Sequence, residues 1–117
     1  EIVFVVDSSG TVLRSINPIG SESEWQIVST DGPVLDIDVG YTPDGYLTLY
    51  VLEQTGGLKR ASEDAPNWTV LKESTEPPFL ATISVLHYLE DDLIFATDNY
   101  GRVQELRESS WQGVGSP

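Results

Sequence analysis

Three tryptophans, Trp25, Trp68 and Trp111, are spaced 43 residues apart, and the chain around them repeats. Upstream of each lies a glycine: Gly10, Gly56 and Gly101. An aromatic precedes each glycine by six positions (Phe4, Tyr50, Phe95) and an acid by three (Asp7, Glu53, Asp98). Prolines follow each tryptophan: Pro33, then Pro77 and Pro78, then Pro117. Features recurring in one order at a period of 43 to 46 residues mark a repeat architecture.

Each repeat divides into short strands. Ile2–Asp7 and Thr11–Ile16 flank Ser8-Ser9-Gly10, where glycine supplies the positive φ of a tight turn. Trp25–Ser29 is a third strand. Val34–Tyr41 is a fourth, with Leu35, Ile37 and Val39 alternating against Asp36 and Asp38. Thr42-Pro43-Asp44-Gly45 reads as a turn. The plan recurs in Tyr46–Glu53, Gly57–Ser62, Trp68–Glu73 and Phe79–Leu89, where Thr82 and Ser84 replace the two aspartates. It recurs again in Leu93–Asp98, Arg102–Arg107 and Trp111–Val114. No stretch shows a helical period with caps, so the expectation is all-β.

Four short strands at this period suit a β-propeller blade. A β-sandwich is the rival, but it gives no reason for the Gly–Trp–Pro recurrence. The expected division is residues 1–33 (strands B, C, D), 34–77 (A to D) and 78–117 (A to D). About three blades cannot close a ring, since propellers have about four to eight. The expected partners are therefore further copies of the chain, or the rest of a longer propeller.

Charge narrows the function classes. With 19 acidic and 6 basic residues, the formal net charge is −13. Such a surface repels phosphate backbones and anionic lipid, which argues against nucleic-acid and membrane partners. No run approaches the roughly 18 apolar residues of a membrane span. With no cysteine, disulfides, thiolate metal sites and cysteine nucleophiles are excluded. Glu1 opens directly on an apolar strand, so no signal peptide is expected. The sequon Asn67-Trp68-Thr69 is a weak pointer to secretion and fixes no compartment.

Catalysis finds little support. A glycosidase needs two carboxylates at a fixed separation, which no motif here specifies. The Asp-x-x-Gly turns at Asp7 and Asp98 lack sialidase Asp-box spacing. His87, alone at the end of a strand, reads as structural. Glu90-Asp91-Asp92 has no EF-hand spacing and reads as a solvated loop. No enzyme, metal or cofactor is expected.

The segments Ile94–Glu105 with Trp111, Leu49–Arg60 with Trp68, and Pro78–Ser84 resemble blades of the fungal fucose-specific lectin family. The resemblance covers almost the whole chain. It implies a six-bladed propeller with sugars held between blades. Some related bacterial members have two blades per chain and trimerise. In that family an Arg and a Glu grip sugar hydroxyls and a Trp packs on the apolar sugar face. Carried over by position, the Arg falls on Ile2, Thr48 and Leu93, and the Glu on Arg14, Arg60 and Glu105. The Trp falls on Trp25, Trp68 and Trp111. No blade holds the complete triad.

The candidate ligand residues are thus Trp25, Trp68, Trp111, Arg14, Arg60 and Glu105. Each has a structural alternative. The tryptophans would pack between blades, and Arg14 and Arg60 would form blade-to-blade salt bridges. Function is expected to be glycan binding in grooves between blades. The alternatives are a protein-interaction scaffold using the acidic face and a channel lined by Asp36 and Asp38, or an assembly-competent propeller fragment with no ligand.

Overall fold

The computed structural model describes residues 2–19, 24–107 and 110–114. Pro117, the last proline of the repeat pattern, and Glu1 lie outside the described residues. The fold is all-β, with eleven strands and no helix among the described residues. They are β1 (Val3–Val6), β2 (Val12–Ser15), β3 (Gln26–Val28), β4 (Val34–Tyr41), β5 (Leu47–Glu53), β6 (Leu58–Ser62), β7 (Ala65–Lys72), β8 (Leu80–Tyr88), β9 (Asp91–Asp98), β10 (Val103–Arg107) and β11 (Ser110–Gly113). They form three antiparallel sheets, each in chain order: β1-β2-β3, β4-β5-β6-β7 and β8-β9-β10-β11.

The repeated acid and glycine build the same hairpin turn in each sheet. Gly10, Gly56 and Gly101 have φ of 86, 104 and 79°. Their N–H groups donate to the carbonyls of Asp7, Glu53 and Asp98 at 3.0, 2.9 and 3.0 Å. The acid's own N–H donates to Thr11, Gly57 or Arg102, closing a three-residue loop with glycine in the left-handed position. The aspartates then brace their loops. Asp7 Oδ1 accepts from the N–H of Ser9 and of Thr11. Asp98 Oδ1 accepts from the N–H of Tyr100 and of Arg102. Its Oδ2 accepts from Arg102 Nε and Gln104 Nε2. Burial pushes the Asp98 carboxyl up, but these hydrogen bonds outweigh it and hold the group at about 2.

The second sheet lies between the other two. Val12, Val34, Leu49 and Val51 form one apolar cluster, against which Phe4, Val6 and Trp68 pack. Tyr50, Leu52 and Leu58 join Leu80, Ile83, Ile94 and Ala96 in a second cluster. Alternation along β5 sends Leu49 and Val51 to the first seam and Tyr50 and Leu52 to the second. This explains why its apolar run carries no solvent face: Thr48 to Glu53 are all buried. Full burial of one such aliphatic side chain contributes roughly 1.5–3 kcal/mol.

Three local expectations need correction. β7 begins at Ala65, not at Trp68, because Ala65 pairs with Ser62 across the hairpin. Pro66 is accommodated there because β7 is an edge strand. β8 ends at Tyr88, and Leu89 takes a left-handed φ of 59° in the turn. Asp92 belongs to β9 rather than a solvated loop, with a side chain only 7% exposed.

Candidate functional site

Two grooves run along the two seams, and the repeat register decides what each contains. Arg14 lies opposite Phe4 across β1 and β2, Arg60 opposite Tyr50, and Glu105 opposite Phe95. The first two side chains line cavities between successive sheets.

The groove between the first and second sheets encloses about 460 Å³. Phe4, Val28, Leu49 and Pro66 give it apolar walls, and Arg14 of β2 and Trp68 of β7 both belong to its lining. The Trp68 indole is oriented by its Nε1–H, which donates to the Ser29 carbonyl of the first sheet at 3.1 Å. Arg14 is half-buried, and its Nε is enclosed without a hydrogen-bond partner among the described residues. An enclosed N–H without an acceptor costs about 1–3 kcal/mol.

The groove between the second and third sheets encloses about 490 Å³ and is more polar. Arg60, Tyr50, Thr48 and Thr69 line it, with Asp91 and Asp92 from the third sheet. Asp92 is fully engaged. It accepts from the Tyr50 hydroxyl at 2.6 Å and the Tyr41 N–H at 3.1 Å, and it pairs with His87 Nδ1 at 2.7 Å. Its carboxylate lies over Gly40, where a Cβ would collide with it. Burial pushes the Tyr50 phenol up, and the hydrogen bond and negative charge of Asp92 push it further. His87 also packs edge-on to Tyr41, 5.6 Å between ring centroids. It is thus part of the clasp between sheets.

The remaining candidates lie apart from these cavities. Trp25 precedes β3 and is 42% exposed. Trp111 packs against the second apolar cluster, its Nε1 enclosed without a partner among the described residues. Glu105 is buried on β10 and pairs with Arg107 Nη2 at 2.9 Å.

The expected inter-sheet salt bridges of Arg14 and Arg60 are absent among the described residues. Lys59 makes that link instead, bonding Asp31 at 2.6 Å and Glu53 at 3.2 Å. The Asp31 bond, against a smaller cost of burial, raises the Lys59 ammonium. The carboxylates of Asp36 and Asp38 accept from the Ile83 and Val85 N–H groups of β8. Sequence reasoning also missed Lys72, which is 4% exposed and donates to the Glu73 carbonyl at 2.8 Å. Burial lowers its ammonium. Its position in a strand of polar and apolar residues gave no sign of this.

No group of three or more metal-ligating side chains occurs among the described residues. No family model matches the chain, and no curated protein sequence matches it.

Proposed function

We propose that the three sheets are blades of a β-propeller and that the groove between the first two binds a carbohydrate. The propeller reading is supported by three successive antiparallel sheets, stacked face to face, whose strands follow one another in chain order. The observation that carries the ligand reading is the pairing of Arg14 and Trp68. They come from different repeats and line one cavity, bringing a guanidinium and an indole to the same groove. A sugar offers hydroxyl oxygens to the first and a C–H face to the second. Arg14 stands where the lectin family's Glu would, so the ligand preference is expected to shift from neutral fucose toward sugars rich in acceptor oxygens.

The test is a glycan array, followed by titration of the best ligand into the wild type and into Arg14→Ala and Trp68→Ala variants. Each variant is checked for native circular dichroism. Each folded variant should bind at least roughly tenfold more weakly, which corresponds to about 1.4 kcal/mol. Wild-type affinity in both folded variants, or no glycan bound by the wild type, would sink the reading.

A further inference from the structure

The three sheets treat their β1, β4 and β8 edges differently. An edge strand presents unpaired N–H groups, and such donors either find an acceptor or pair with another strand. On β4 and β8 two carboxylates cover four of them. Asp36 Oδ1 accepts from the Ile37 N–H and Oδ2 from the Ile83 N–H, both at 2.9 Å. Asp38 accepts in the same way from Val39 at 2.8 Å and Val85 at 2.6 Å. Each aspartate thus guards its own strand and the equivalent strand of the next sheet.

β1 has no such guard. Asp7 N–H donates to Thr11. Antiparallel alternation then turns the backbones of Val5 and Val3 toward β2, and those of Val6 and Phe4 away from it. In the other sheets the matching positions are paired. Leu52 and Tyr50 face Asp36 and Asp38 of β4, and Thr97 and Phe95 face Thr82 and Ser84 of β8. Among the described residues, no side chain accepts a hydrogen bond from Phe4 or Val6 N–H.

We propose that this edge of β1 is a strand-docking site that takes an extended peptide segment by antiparallel β-addition. Main-chain bonds to Phe4 and Val6 supply the affinity, and side-chain chemistry at alternate positions supplies the selectivity. The two residues opposite Val6 and Phe4 carry short acceptor side chains, as Asp36, Asp38, Thr82 and Ser84 do. The occupant's acceptors would point at β4 as those of β4 point at β8. On β4 the Ile37 and Val39 N–H groups already hold the carboxylates of Asp36 and Asp38. A second pair of carboxylates there would meet like charge. The site therefore selects Thr or Ser at both positions, the β8 pattern, over the Asp pair of the β4 pattern. This inference rests on strand register and hydrogen bonding, and is independent of any sugar site.

Two synthetic peptides test it on the intact chain. One copies residues 79–88 and the other residues 33–42, each with two lysines added at both ends for solubility. Amide exchange is followed by NMR at millimolar peptide. The 79–88 peptide should slow exchange at Phe4 and Val6 about tenfold, and should bind several-fold more tightly than the 33–42 peptide. No slowing at Phe4 and Val6, or slowing only at the edges of β3, β7 or β11, overturns the docking site. Equal or tighter binding of the 33–42 peptide overturns the preference for uncharged acceptors.

Discussion

The seam between the first and second sheets differs from the seam between the second and third, although the same repeat builds both. In the second seam the polar groups are consumed by joining the sheets. Asp36 and Asp38 take backbone N–H groups of β8, and Asp92 takes the Tyr41 N–H and the Tyr50 phenol. In the first seam the cross-links are fewer: the Trp68–Ser29 hydrogen bond, the Lys59–Asp31 pair, and the Val34 N–H donating to Gly10. There an arginine and an indole are left facing a cavity. Arg14 and Arg60 share a repeat position, yet only the cavity of Arg14 has a tryptophan in its lining. Equivalent position in a repeat therefore fixes where a side chain points, and the neighbouring sheet fixes what it can do.

The largest effect expected is from breaking the second seam. Asp92→Ala leaves the Tyr50 hydroxyl buried without its charged acceptor and frees the Tyr41 N–H. Loss of a hydrogen bond to a charged group, with its donor left enclosed, should cost about 3 kcal/mol in urea unfolding. A loss under about 1 kcal/mol would mean that apolar packing alone joins these sheets. The first seam should respond less. Trp68→Phe keeps an aromatic in the groove but removes the bond to Ser29, and about 1 kcal/mol should be lost. A larger loss than in Asp92→Ala would invert the comparison.

A third measurement sharpens the comparison by standing outside both seams. Asp98 is held at about 2 in the folded chain, below the free carboxylate value of about 3.9. A lowered value means that its contribution is complete above about pH 4 and is lost as pH falls through 2. Unfolding midpoints measured between pH 5 and pH 2 should therefore drop less steeply in Asp98→Asn than in the wild type. Parallel slopes would show that the turn carboxylate is uncoupled from folding.

Much of this architecture was legible in the sequence because it depends on local chemistry. Glycine at a left-handed turn position, an acid three before it and alternating apolar residues located every strand within a few residues. The segment Tyr46–Glu53 reads as a strand, and its lack of a solvent face is explained by burial from both sides. The seams were less legible, because they depend on pairs distant along the chain. Asp36 and Asp38 look like a solvated strand face, yet they reach Ile83 and Val85. Asp92 sits in an acidic triplet that reads as loop, yet it joins Tyr50 to His87. Arg14 and Trp68 were each recognisable, but their meeting in one groove required the stacking of two sheets. Pro66 and Asn67 concealed the start of β7, since neither favours a strand except at an edge.

The double burial of β5 has a consequence for cooperativity. Leu49 and Val51 belong to one cluster and Tyr50 and Leu52 to the other, so adjacent residues of a single strand are shared between two interfaces. A chain of stacked repeats gains stability from each unit and from each nearest-neighbour contact. Here the two contacts cannot be lost independently, because fraying of β5 releases both at once. Its amides should be the last in the chain to exchange, and the outer sheets should open before it. The middle repeat is then the hub on which the order of unfolding turns, and it is the place where a single substitution reaches every other part of the molecule.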